Sequence, residues 1–172
     1  GIIPTEFGNL TNLLNFYVAE NTLSGSLPAS FSALTKILYL DLHNNQLSGS
    51  VPSIFAGMTS AKGIYLNNNR FSGTLPAMRG ENIDVSNNLL TGTFPSVSGT
   101  ITTITANNNG FTSIPAGICS PTSLMKLDFS NNNLISLPSE LASNTNKSNI
   151  QLLFKNNRLD FSKLELYATG FK

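Results

Sequence analysis

Apolar residues recur along this chain at one spacing, and an asparagine closes each set. The first frame is Leu13-x-x-Phe16-x-Val18-x-x-Asn21-x-Leu23, and the second is Ile37-x-x-Leu40-x-Leu42-x-x-Asn45-x-Leu47. Ala61-x-x-Ile64-x-Leu66-x-x-Asn69-x-Phe71, Ile83-x-Val85-x-x-Asn88-x-Leu90 and Ile101-x-x-Ile104-x-Ala106-x-x-Asn109-x-Phe111 follow. Leu124-x-x-Leu127-x-Phe129-x-x-Asn132-x-Leu134 and Leu152-x-Phe154-x-x-Asn157-x-Leu159 complete the series. Seven copies that keep both the apolar spacing and the asparagine predict a stack of short repeats, a solenoid.

Alternation within each frame puts its fourth and sixth positions on the buried face of a short strand. No single repeat has enough apolar surface to fold alone, so the strands should stack about 4.7–4.9 Å apart in one parallel sheet. Each asparagine then turns inward, and its amide must bond backbone groups along the stack, because an unpaired buried polar group costs roughly 1–3 kcal/mol. The expected fold is an α/β-type solenoid, mostly β and irregular: a right-handed coil with one parallel concave sheet of about seven short strands. The array spans residues 1–158, and a closing segment over 159–172 carries Leu159, Phe161, Leu164, Leu166 and Tyr167 to cover the last rung.

After each strand the first four repeats carry Leu23-Ser-Gly-Ser-Leu27-Pro28, Leu47-Ser-Gly-Ser-Val51-Pro52, Phe71-Ser-Gly-Thr-Leu75-Pro76 and Leu90-Thr-Gly-Thr-Phe94-Pro95. This is a turn, a second short extended segment and a proline break. The frames carry the leucine-rich repeat signature, and over residues 1–95 these segments resemble the plant-type subfamily with its L-x-G-x-I/L-P consensus. Later repeats, Phe111-Thr-Ser-Ile114-Pro115 and Leu134-Ile-Ser-Leu137-Pro138, lack the glycine and are similar to repeats of bacterial surface proteins. The ending Asn-Asn-Arg-Leu-Asp-Phe-Ser-Lys-Leu-Glu resembles the junction after the last repeat in secreted proteins of Bacteroidetes type. Plant receptor ectodomains of the resembling family carry paired cysteines in their caps, whereas this chain has Cys119 alone, on an outer-arc turn with nothing basic beside it to activate the thiol.

Repeat length varies. Asn69 to Asn88 spans nineteen positions, so the arc between Pro76 and Ile83 should be abbreviated, with Met78 covering the neighbouring core. Outer arcs in general should be irregular, because each repeat's proline interrupts helix formation. Gly1-Ile2-Ile3-Pro4 reads as the tail of the turn motif without its strand, which predicts a cut first repeat, a longer parent chain and a weak N-terminal edge.

Charged residues make up 11 % of the chain and the net charge is +1. That is well below the usual quarter or so. Lysine and arginine are scattered singly, which leaves no electrostatic footprint for nucleic acid. No run approaches the roughly 18 apolar residues of a membrane span. The expectation is an extracellular or cell-surface, secreted protein.

Function should then reside on the concave face, formed by the third, fifth and seventh positions of each frame. Its N-terminal half concentrates Tyr17, Tyr39, Asp41, His43, Tyr65 and Asp84, whereas the C-terminal half is mostly small and polar, with Thr105 and Ser130. Tyrosine offers a rigid apolar body with a polar tip, the chemistry of recognition hot spots. In the fifth column Tyr17, Asp41, Tyr65 and Asp84 alternate ring and carboxylate, which suits a basic peptide, a protein or a glycan. These six residues are the candidate ligand site.

Catalysis is not expected. Asp41 and His43 share a face like half of a triad, but Ser86 lies two rungs away, roughly 10 Å, beyond the 2.6–3.2 Å of proton transfer. Asp41 and Asp84 are as far apart, too far to share a metal, so neither metal nor cofactor is expected. Two other readings stand beside recognition: a spacer that packs against its own longer chain, and binding to ice or another crystal surface, suggested by low charge and by Thr100, Thr102, Thr103 and Thr105.

Overall fold

The computed structural model describes residues 1–119, 122–143 and 150–160. Seven three-residue strands form one parallel sheet in chain order: Asn15–Tyr17, Tyr39–Asp41, Gly63–Tyr65, Asn82–Asp84, Thr103–Thr105, Lys126–Asp128 and Gln151–Leu153. They are numbered below as rungs one to seven. Register follows the sequence frames throughout, with Phe16 opposite Leu40, Leu40 opposite Ile64, and Ile104 opposite both Ile83 and Leu127. Fourth- and sixth-position residues are fully enclosed from rung two to rung six, from Leu40 and Leu42 to Leu127 and Phe129. The repeat spacing therefore builds one continuous core.

Six of the seven asparagines tie each rung to the one before it. Asn69 accepts the Leu47 N–H at 2.9 Å and donates to Leu42 O at 2.9 Å and Leu66 O at 3.1 Å. Asn45, Asn88, Asn109, Asn132 and Asn157 repeat this arrangement. Asn45, Asn69, Asn88 and Asn132 are buried, while Asn109 and Asn157 are half-buried. Asn21 departs from the expectation: it is exposed and donates only within its own rung, to Ala19 O and Val18 O. Among the described residues its rung is the outer strand of the sheet, paired on one side alone.

The concave sheet has the expected seven strands, and the extended segments expected after each turn add pairing of their own. The glycine-bearing segments Ser24–Gly25, Gln46–Ser50, Arg70–Thr74, Leu89–Thr93 and Gly110–Ser113 pair as a five-stranded parallel sheet of their own. Gly25, Gly49, Gly73 and Gly92 all take φ of 75–79°, a left-handed turn that a side chain would strain. The coil has little helix, as expected, but three of its prolines start short 3-10 helices instead of preventing them. Pro4, Pro28 and Pro115 carbonyls accept the first-turn bonds from Phe7, Phe31 and Ile118 of the 3-10 helices Thr5–Asn9, Ala29–Ala33 and Ala116–Cys119. Proline has a fixed φ and needs no partner for a missing N–H at that point.

The short repeat behaves as its length requires. Between Pro76 and Ile83 no helix forms; Met78–Arg79 pairs in parallel with Val97–Ser98 of the next short repeat, and Met78 is 1 % exposed. Core aromatics add edge contacts along the stack, such as Phe94 with Phe129 at 4.9 Å. Of the closing segment, residues 161–172 lie outside the described residues.

Rung one is the outer strand of the sheet, and Ile2, Leu10 and Leu14 beside it are exposed. Hydrogen exchange should therefore be fastest in residues 1–18 and slow from Leu40 to Leu127. Equal protection across both regions would mean that another surface covers this edge.

Candidate functional site

Sheet register places Tyr17, Asp41, Tyr65 and Asp84 side by side in one column, since Tyr17 pairs with Asp41, Asp41 with Tyr65 and Tyr65 with Asp84. The neighbouring column runs Asn15, Tyr39, Gly63, Asn82. Tyr17 and Tyr39 stack across the two columns with ring centres 6.4 Å apart and planes 26° from parallel. Tyr17 is 60 % exposed, and Tyr39 and Tyr65 are half-buried. All six candidate residues thus lie on rungs one to four of one face.

Gly63 is the residue that sequence reasoning passed over. A Cβ there would stand 2.6 Å from Tyr65 Cε2, 2.9 Å from Tyr65 Oη and 2.9 Å from Tyr39 Cδ1. The missing side chain is what lets both rings lie down on the sheet. The signal was available, because a glycine inside a strand often marks close approach by another group.

The carboxylates have local duties as well. Asp41 Oδ1 accepts the His43 backbone N–H at 3.2 Å, Asp84 Oδ1 accepts that of Ser86 at 2.9 Å, and Asp128 Oδ1 accepts that of Ser130 at 3.0 Å. Each aspartate therefore caps its own strand exit, a short-range pattern typical of this residue. Ser86 Oγ donates to Asp84 at 2.7 Å and is buried, so it is not turned toward His43. Ser130, expected on the open concave face, is only 3 % exposed and presents nothing to a ligand.

His43 sits between two acids. Its Nδ1 lies 2.6 Å from Asp41 Oδ1 and its Nε2 lies 3.6 Å from Glu20 Oε1. The Asp41 hydrogen bond raises the imidazole pKa above its ordinary value, burial opposes this, and Glu20 adds to the rise. With the folded-state pKa raised, the stabilisation from His43 is fully present below about pH 6.5. It is lost as pH rises through the folded value. Titration followed by the ring NMR signals should give a midpoint above the ordinary one, and Asp41→Asn should lower it; no change in that variant would remove Asp41 as the cause.

Burial also raises the Asp84 carboxyl, against the Ser86 bonds and Lys126, with Asp128 pushing the same way as burial. Burial raises the Tyr65 phenol too, aided by Tyr39, Asp41, Asp84 and Tyr17. Among the described residues no group of three His, Cys, Asp or Glu side chains could hold a metal ion. Concavities of about 410 and 370 Å³ lie elsewhere, at Asn9–Leu13 and beside Leu89, Asn108 and Gly110. The tyrosine strip is a surface, a shape suited to an extended ligand. A second amide ladder runs along the rim, with Asn108 donating to Asn87, Asn131 to Asn108 and Asn156 to Asn131 at 2.6–2.7 Å.

The Leucine Rich Repeat family matches residues 36–58 and 123–144. No curated protein matches the chain. Among solved structures, a plant ice-binding protein is 27 % identical with a TM-score of 0.80, over 95 % of this chain and 56 % of its own. The Arabidopsis receptor kinase HAESA, solved with the peptide hormone IDA and the co-receptor SERK1, is 30 % identical with a TM-score of 0.80, over 91 % of this chain and 32 % of its own. The plant peptide hormone receptor RGFR1, solved with RGF2, is 27 % identical with a TM-score of 0.64, over 92 % and 30 %. The chain therefore spans from under a third to just over half of the length of these structures. Among the described residues no helix is long and apolar enough to cross a membrane. Repeat frames in register, the asparagine ladder and these matches together make this chain a leucine-rich repeat protein.

Proposed function

We propose that this chain is a non-catalytic recognition module of a secreted or cell-surface protein, and that it binds a protein or extended peptide across rungs one to four of its concave face. The observation that carries this reading is the stacked, partly exposed tyrosine pair continued by Tyr65 over Gly63, with carboxylates alternating beside it. Rigid aromatic groups with polar tips supply contact area at low entropic cost. Similarity to receptor structures solved with peptide hormones supports a peptide over a glycan.

A screen of the chain against extended peptides and cell-surface glycans, with contacts mapped by amide NMR shifts, tests this. The expected result is a peptide ligand whose shifts centre on Tyr17, Tyr39, Asp41, His43, Tyr65 and Asp84. Ligands that shift only the outer arcs, or glycans alone, would contradict it.

Ice binding is the second reading, favoured by the similarity to a plant ice-binding protein. The threonine cluster gives it little help. Thr102 Oγ1 donates at 3.0 Å to Glu81 O and at 2.9 Å to Asn82, and Thr103 and Thr105 are flanked in register by Asn82, Asp84, Lys126 and Asp128 rather than by more threonines.

A further inference from the structure

We propose that the strip of Tyr39, Gly63 and Tyr65, with Asp41 and Asp84 on the rungs either side of Tyr65, seats one cationic side chain, a guanidinium or ammonium group, of an extended peptide. This rests on the concave-face reading above and names what that face selects. Three observations carry it.

Gly63 is buried, and its missing side chain lays two tyrosine rings beside each other on the sheet. An arginine or lysine terminus is drawn to such ring surfaces by their quadrupole. Register then sets one carboxylate before and one after Tyr65, each about 5 Å away. The bonds that hold Asp41 and Asp84 to His43 and Ser86 all use Oδ1, which leaves Oδ2 of each to receive a donor.

Charge along the face agrees with the assignment. The concave positions of rungs one to five include Asp41 and Asp84 and no lysine or arginine; their one basic group is His43, held on Asp41 Oδ1, and the first lysine is Lys126 on rung six, 3.9 Å from Asp128. Glu20 adds a carboxylate at the edge, beside His43. A neutral sugar ring would use the tyrosines but would bring no positive charge to the Oδ2 atoms of the two carboxylates.

The test is an NMR titration of the chain with two capped peptides, Gly-Gly-Arg-Gly-Gly and the same peptide with citrulline, the uncharged isostere, in place of arginine. The arginine peptide should shift the amides of Gly63 and Asp84 and bind roughly two- to thirtyfold more tightly, the span of cation–π pairs from exposed to desolvated sites. Gly63→Ala should remove that difference and leave the rest of the spectrum folded, because the added methyl group displaces only tyrosine ring atoms. Equal affinities at this strip, or shifts confined to other rungs, overturn the cationic subsite and leave concave-face recognition standing. No concave-face shift with either peptide at millimolar concentration also overturns the subsite, and the peptide screen then decides whether the wider reading falls with it.

Discussion

Replacing Asn69 with alanine is expected to lower the unfolding free energy by about 2–4 kcal/mol, whereas Asn21→Ala should cost under about 1 kcal/mol. The contrast follows from who else can serve the same backbone groups. Asn69 Oδ1 is the acceptor for the Leu47 N–H, which alanine would leave buried and unpaired. Leu42 O and Leu66 O would keep a second donor each, from Asn45 and Asn88, and so lose less. Asn21 is exposed and bonds only its own rung, so water can replace it. Urea unfolding of the two variants measures the difference. Equal losses would mean that the ladder does not hold the rungs together.

The same comparison explains why the fold was legible. Periodic apolar positions and inward asparagines are decided by local spacing, and neighbouring rungs impose the same spacing on each other. Features set by a single atom were not legible. The doublets Asn44-Asn45, Asn68-Asn69, Asn87-Asn88, Asn108-Asn109, Asn131-Asn132 and Asn156-Asn157 were in plain view, but only the second member was assigned a role. The first takes φ of 53–55° in every case, a left-handed conformation that asparagine tolerates better than most residues. Four of these, Asn87, Asn108, Asn131 and Asn156, also link to one another along the rim.

The candidate site was legible in its columns and not in its contacts. Alternation put Tyr17, Tyr39, Asp41, His43, Tyr65 and Asp84 on one face, and the strand register agrees. Capping by Asp41, Asp84 and Asp128 was missed because an aspartate at the last position of a strand looks the same in sequence whether it serves a ligand or its own backbone two residues on. Glu20 was missed because it lies outside the frame positions, on the rung before His43. Proline's helix-breaking habit does not foretell the short 3-10 helices after Pro4 and Pro28, because at the very start of a first turn proline is tolerated.

The largest functional effect should fall on the tyrosines. Tyr17→Ala and Tyr65→Ala are each expected to cost about 1–3 kcal/mol of affinity for a concave-face peptide, as aromatic anchors do. Neither should harm folding, since Tyr17 is 60 % exposed and Tyr65 points away from the core formed by Ile64 and Leu66. Tyr17 would also lose its stack with Tyr39, and Tyr65 would open the space over Gly63.

Thr105→Ala provides the control, because Thr105 lies in the same column one rung beyond Asp84 and carries no ring or charge. The decisive measurement is a titration of one peptide ligand against the unaltered chain and the Tyr17→Ala, Tyr65→Ala and Thr105→Ala variants. A recognition site on rungs one to four predicts roughly five- to a hundredfold weaker binding for both tyrosine variants and an unchanged constant for Thr105→Ala. Equal losses in all three would make the whole face a diffuse contact, and no loss at either tyrosine would place the ligand on another surface.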